Sequence, residues 1–327
     1  LTPLIEVRDL VRIYHVRRGL LGRPTPVRAV DGISLAVMPG ETLGIVGESG
    51  SGKSTLGRML LGIDAAQEGE VVFDGKPMPE SRTPEWRKLR AKMQLVYQDP
   101  LAALDRRLTI ATQLSEPLEI HRLIPREHRA ARVAELMNAV GLRPDQAPRF
   151  PHELSGGQRQ RAVIARAIAS RPKLLVCDEP VSALDVSIQA QIINMLRDLQ
   201  QQHGIAMVFI SHDLKVVRNM ADKVAVMYLG RVVEEASADV IFHSPMHPYT
   251  RALVSSVPRA GIPLQGRTIL QGEPPNPANR PSGCAFHPRC PLARDRCRID
   301  APQLKTIGHG RTVACHVTAG EDARIAA

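Results

Sequence analysis

The stretch Gly47-Glu48-Ser49-Gly50-Ser51-Gly52-Lys53-Ser54-Thr55 restricts what this chain can become more than any other. It fits G-x-x-x-x-G-K-[ST], a loop that cradles phosphates. Thr42–Val46 before it is short and apolar, as a buried strand is, and Thr55–Leu61 after it carries apolar residues at helical spacing. Strand, glycine loop and helix in that order predict a phosphate site. Glycines let the backbone curl so that successive N–H groups face the phosphate oxygens, and the helix start adds positive partial charge. Lys53 brings a full charge toward the β- and γ-phosphates, and Ser54 offers a hydroxyl to Mg²⁺. A nucleoside triphosphate is therefore the expected ligand.

A chain of 327 residues has room for two domains or one large one. Aromatic residues make up only 3%, so the core must be mainly aliphatic. No uncharged apolar run approaches the roughly 18 residues of a membrane span. The opening Leu1–Glu6 lacks the basic and apolar regions of a secretory signal, so a cytoplasmic location is expected. The net charge of +10 permits anionic partners, but the arginines are spread along the chain, apart from a basic stretch at Arg17, Arg18, Arg23 and Arg28.

Alternation predicts a strand at Leu4–Leu10, and Gly19, Gly22, Pro24 and Pro26 predict a loop over Arg17–Arg28. Val27–Val30 and Ile33–Val37 read as strands joined by a hairpin at Asp31-Gly32. Further strands are expected at Gly69–Gly75, Met93–Gln98, Lys173–Pro180, Ile205–Ser211, Lys223–Tyr228 and Arg231–Glu235. Amphipathic helices are expected at Ile110–His121, Arg126–Val140, Gln158–Ala169 and Val186–Gln201, with a short one at Asp213–Ala221. Strands alternating with helices imply an α/β fold with a mostly parallel sheet covered on both faces. Pro258–Ser282 reads as an extended arm.

Asp178-Glu179 ends an apolar strand. One acid suits Mg²⁺ and the next suits a general base for water, because adjacent residues leaving a strand point apart. Gln98 and His212 also follow strands, where ligand crevices open: an amide reaches metal or water, and an imidazole reaches the γ-phosphate. Ser155-Gly156-Gly157-Gln158 at a helix start makes a second phosphate-binding surface. A chain already provided with one such loop would offer the second to another chain's nucleotide.

Taken together, Gly47–Thr55, Gln98, Leu154–Gln158, Leu174–Glu179, Ser182–Asp185 and His212 resemble an ABC-transporter ATPase over residues 4–240. The resemblance implies a RecA-like phosphate-loop core with an antiparallel β subdomain and a helical subdomain inserted at about 100–165. It implies the roles of Walker A loop, Q-loop, signature motif, Walker B strand with catalytic Glu179, D-loop with Asp185 and switch His212. Tyr14 falls where the family stacks an aromatic ring on adenine. Pro151–Arg161, Tyr228–Arg231 and His247-Pro-Tyr-Thr-Arg-Ala-Leu253 resemble the dipeptide/oligopeptide importers, most of all their second ATPase subunit. That subfamily implies a heterodimer with a homologous ATPase, two membrane permeases, an extracytoplasmic solute-binding protein and a peripheral place on the cytoplasmic face of the bacterial inner membrane. Sister importers for nickel, glutathione or opines share the pattern. Soluble ABC ATPases acting on nucleic acid usually carry two cassettes or a long coiled coil; with one cassette and no heptad run, this chain is expected to have no nucleic-acid partner.

Residues 241–327 remain as an extension carrying Cys284, Cys290, Cys297 and Cys315. In a cytoplasmic chain such a cluster suits a metal better than disulfides. The gaps are wider than those of zinc sites, and four thiolates also suit a [4Fe–4S] cluster. The resemblance favours iron–sulfur over zinc, with a structural role, and unligated thiols are the third alternative. Cys177 reads as a buried strand residue.

Overall fold

Every residue of Thr42–Val46 and of Ala206–Ile210 is buried, as strands without a polar face must be. They lie at the centre of a computed structural model that describes residues 2–17, 24–257, 270, 272–308 and 310–319. The elements in chain order are β1 (Ile5–Arg17), β2 (Pro24–Val37), β3 (Thr42–Val46), α1 (Lys53–Leu60), β4 (Glu68–Phe73), β5 (Lys76–Pro77), α2 (Pro84–Arg90), β6 (Met93–Val96), α3 (Pro100–Ala103), α4 (Ile110–Ile120), α5 (Arg129–Ala139), α6 (Gly156–Ile168), β7 (Leu174–Asp178), α7 (Val186–His203), β8 (Ala206–Ile210), α8 (Leu214–Met220), β9 (Lys223–Tyr228), β10 (Arg231–Ser237), α9 (Ala238–His243), α10 (Pro248–Ser255), α11 (Asp295–Ile299), β11 (Lys305–Thr306) and β12 (Thr312–Val313).

The larger sheet runs β11-β12-β10-β9-β3-β8-β7-β6. Its β9, β3, β8, β7 and β6 are parallel, and β10 returns antiparallel to β9. Successive side chains of the central strands feed two different cores. Val46, Cys177 and Phe209 join the core built with α4 to α9. Ile45, Val176 and Val208 join a second core with Leu56, Met59 and Leu60 of α1 and the inner face of the smaller sheet. That sheet is antiparallel, in the order β2-β1-β4-β5. The carboxyl ends of β3, β6, β7 and β8 thus open on one crevice, where parallel sheets bind ligands.

Two expectations for the first sheet are corrected. Pro24–Arg28 is not loop: it is paired to β1, with Arg17 opposite Pro24 and Ile13 opposite Arg28; residues 18–23 lie outside the described part. Asp31-Gly32 is not a hairpin. β1 and β2 form one long ladder in which Val11 faces Asp31 and Leu10 faces Ile33. Gly32, at φ +69°, is the extra residue of a β-bulge. A tight turn and a bulge need the same backbone freedom, and only the pairing partner tells them apart. The hairpin at Leu229-Gly230 is present, with positive φ at both residues (44° and 82°), as a type I′ turn demands.

The extension is built onto the cassette. β12 pairs with β10, placing Val313 opposite Glu234. Phe286, 1% exposed, and Ala285 enter the same core as Val46 and Phe209. Most of the expected Pro258–Ser282 arm, residues 258–269 and 271, lies outside the described residues. No helix among the described residues is long and apolar enough to cross a membrane.

Candidate active site

The phosphate loop joins β3 to α1 and is shaped by close backbone approach. A Cβ on Gly47 would lie 2.2 Å from the Met227 carbonyl oxygen, and one on Gly52 would lie 2.0 Å from that of Ala29. Gly52 also has φ +99° as the residue capping α1. Lys53 is buried and folds back over the loop, its Nζ donating to the carbonyls of Gly47 at 2.8 Å and Glu48 at 2.9 Å. Burial pushes its pKa down, against the pull of Glu179, Asp178 and Glu48.

Ser54 Oγ donates to Asp178 Oδ1 at 2.8 Å, so the two hard oxygen ligands expected for Mg²⁺ already share one point. Burial raises the Asp178 pKa, the Ser54 bond opposes it, and Glu179 adds to the rise. A cation here would relieve that burial cost, and the donor set fits one. Glu179 leaves β7 at φ +47°, strain of about 1–3 kcal/mol for a residue other than glycine. Its N–H donates to the Ile210 carbonyl at 2.9 Å. Its carboxylate accepts from Gln98 Nε2 at 3.1 Å and lies 3.2 Å from His212 Nδ1. Three strand ends therefore converge on one carboxylate. Tyr14, Ser49, Gly50, Gly52, Lys53, Ser54, Thr55, Gln98, Glu179 and His212 line a cavity of about 710 Å³. Tyr14 is tethered at its rim, its hydroxyl donating to Asp64 at 2.8 Å.

Two predicted groups stand apart from this cavity. Ser155 caps α6: its Oγ accepts from Gln158 N at 3.3 Å, and Gln158 Oε1 accepts from Ser155 N at 3.0 Å. Ser155 and Gly156 are exposed. Gly157 lies against α7, where a Cβ would come within 2.7 Å of Ile188. Asp185 precedes α7 and is also exposed, next to Val186 at 82% exposure. The turn leading to it is held by Gln189 Nε2, which donates to the carbonyls of Val181 and Leu184.

The expected cysteine cage is not assembled. Among the described residues no three His, Cys, Asp or Glu side chains come together to hold a metal. The thiols nevertheless share one region. Burial, and to a smaller extent the neighbouring thiols, raise the pKa of Cys284, and that of Cys290 to about 11. Cys284 N–H donates to the Cys297 carbonyl at 2.8 Å. Cys177 is fully buried in β7.

Several residues at the site have no signature in the sequence. Val27, Ala29 and Pro277 complete the cavity wall. Tyr249 accepts from the Glu48 N–H, and Arg289 grips the Glu48 carboxylate. Tyr249 sits in the His247–Leu253 motif, which marks the subfamily without revealing this contact. Nothing local marks Arg289.

Fold and site together define a phosphate-loop ATPase whose crevice brings Gln98, Glu179 and His212 together beside Ser54 and Asp178. Residues 30–182 match the family described as ABC transporter, and residues 233–297 match the one described as oligopeptide/dipeptide transporter, C-terminal region. The chain is 49% identical over 314 residues to the di/tripeptide transport ATP-binding protein DppF of Pseudomonas aeruginosa, covering 96% of this chain and 97% of that one. It is 46% identical over 319 residues to the oligopeptide transport ATP-binding protein AppF of Bacillus subtilis, covering 96% and 97%. Among solved structures, an ATP-binding cassette dimer in a post-hydrolysis state with ADP and phosphate matches with a TM-score of 0.64 at 29% identity, covering 72% of this chain and 98% of that one. The chain belongs to the ABC-transporter ATP-binding proteins, on their dipeptide/oligopeptide branch.

Proposed function

We infer that this chain is the ATP-hydrolysing subunit of an importer of dipeptides or oligopeptides. What carries the solute class is the likeness over the full length, cassette and C-terminal region alike. Residues 1–240 serve as the nucleotide-binding domain and 241–327 as the importer extension.

In this reading Tyr14 stacks on adenine, and Gly47–Thr55 cradle the phosphates. Ser54, Gln98 and Asp178 would hold Mg²⁺, which supplies charge neutralisation at the phosphates. Glu179 takes the proton of the attacking water, held in position by Gln98, while His212 orients toward the γ-phosphate. The Glu179 contacts to Gln98 and His212 support those roles. Ser155, Gly156, Gly157 and Gln158, with Asp185, face a partner ATPase and close over its ATP; the exposure of Ser155, Gly156 and Asp185 supports this. Opening and closing of the pair drives two permeases from the cytoplasmic face, fed by a solute-binding protein. For the tail we keep the [4Fe–4S] reading ahead of zinc on the family likeness, and the shared surroundings of Cys284, Cys290, Cys297 and Cys315 support a common site for either metal. It requires those side chains to close in, and Cys290→Ala should then abolish thiolate–iron absorbance.

The test of function is uptake by cells lacking this chain. Loss of labelled dipeptide uptake, restored by the wild type and not by Glu179→Gln, supports the reading. Intact peptide uptake with loss of nickel, glutathione or opine uptake replaces it with a sister importer.

A further inference from the structure

The extension reaches the phosphate loop. Glu48, the second residue of the loop, is held by two residues from outside it and by Lys53 within it. Arg289 of the cysteine-bearing tail forms a two-pronged ion pair with its carboxylate, Nη1 to Oε2 at 2.7 Å and Nη2 to Oε1 at 2.9 Å. Tyr249 Oη accepts the Glu48 N–H at 2.8 Å, so this amide is turned away from the nucleotide cavity. The Glu48 carbonyl accepts from Lys53 Nζ at 2.9 Å. Any displacement of Glu48 therefore moves an anchor of Lys53.

The clamp is buried on the side of the extension, while the Glu48 side chain keeps 26% of its surface exposed. Tyr249 is 0% exposed and Arg289 is 8% exposed. The rings of Tyr228, Tyr249 and Phe286 pack on one another with centroids 4.7–5.4 Å apart. Phe286 and Arg289 belong to the same short stretch of the tail, on either side of His287-Pro288. A planar guanidinium fork meets a carboxylate with fixed geometry, which a lysine in the same place would not.

We propose that Arg289 is a positioning residue of the ATP site, which sets the phosphate loop through Glu48 and so makes the C-terminal extension a working part of ATP binding. This rests on the reading of Gly47–Thr55 as the ATP loop. It assigns the tail a task that its cysteines alone do not explain: a folded tail presents the arginine, and the loop takes up its binding shape.

The experiment is a double-mutant cycle on the full chain with its partner, using Glu48→Gln, Arg289→Met and both together, with Arg289→Lys as the conservative variant. KM for ATP and kcat are measured separately, and maleimide labelling of the buried Cys297 reports whether the tail stays folded. Each single variant should raise KM about tenfold, the order expected for one two-pronged charge-assisted pair, with a smaller change in kcat. The double variant should be no worse than the worse single, and Arg289→Lys should fall between wild type and Arg289→Met. An unchanged KM in Glu48→Gln, or additive losses in the double variant, would overturn the proposal. Cys297 labelling is measured in every variant, and if Arg289→Met exposes Cys297, whichever of Glu48→Gln and Arg289→Lys keeps it protected decides. A wild-type pair without ATPase activity would instead sink the ATPase reading, which keeps the two failures distinct.

Discussion

Two helices of this chain start at glycines, and the two starts are held in opposite ways. The start of α1 is tied to its own chain on every side: Lys53 to the loop carbonyls, Ser54 to Asp178, Glu48 to Tyr249 and Arg289. The start of α6 is capped by its own reciprocal Ser155–Gln158 bonds, and Ser155 and Gly156 are exposed. A helix start leaves backbone N–H groups in need of acceptors; Ser155 supplies one to α6, and α1 has no side-chain cap. The difference matches the proposed roles. In that reading a loop that binds this chain's own nucleotide is pre-organised by its own fold, and a surface for a partner's nucleotide is left accessible.

The strongest way to break that contrast is at the chemistry. Glu179→Gln should keep ATP binding and lower phosphate release in the assembled pair by roughly 10²–10⁴-fold. It should also trap an ATP-dependent dimer visible by size exclusion. Undiminished turnover would remove Glu179 as the base. Next, Lys53→Ala should weaken binding of a fluorescent ATP analogue to this chain by about a hundredfold, while Ser155→Ala leaves that binding unchanged and still slows the pair by at least about tenfold. If the two variants weaken binding equally, the two helix starts are not distinct.

A smaller effect concerns the support behind the loop. His247 caps α10, accepting the Tyr249 N–H at 3.1 Å, and complete burial pushes its pKa down to about 3. The unfolded histidine titrates near 6.5. Between those values the unfolded chain holds a proton that the folded chain refuses, so this stabilisation is full above about pH 6.5 and falls as the pH drops. His247→Asn retains an acceptor at the cap and does not titrate. Between pH 8 and pH 5 the wild type should lose about 2 kcal/mol more unfolding free energy than His247→Asn; parallel curves in chemical denaturation would contradict this. Smallest of all, Cys177→Val next to Asp178 should change stability by less than about 1.5 kcal/mol and leave ATP turnover intact.

The sequence was most readable where chemistry and chain order coincide. Gly47–Thr55 is contiguous, so residue type and order alone place its lysine, hydroxyl and glycines in one loop. Gln98, Asp178, Glu179 and His212 could be placed because strand ends share one edge of a parallel sheet. Reading failed where a partner far along the chain decides. Asp31-Gly32 has the composition of a turn, and only its register against Leu10 and Val11 makes it a bulge. Asp31 itself is buried; burial disfavours its charge, and Arg231, Arg280 and Arg28 together hold its pKa below the usual range. The Tyr249 and Arg289 contacts span 201 and 241 residues, a distance over which no periodicity speaks. Cysteine spacing likewise records neighbours along the chain and not the directions of side chains.

The pairing of Thr312–Val313 with β10 has a consequence for anyone shortening the protein. The strand covers one rim of the larger sheet, with the Ala314 N–H also donating to the Val233 carbonyl at 2.9 Å. A truncation that ends at the cassette boundary would strip this cover and leave open backbone donors and acceptors on β10 at Val233–Glu235. Such a rim is a template for pairing with other chains. A shortened cassette should therefore self-associate into sheet-rich aggregates, and a lysine placed outward on β10 should restore it to solution.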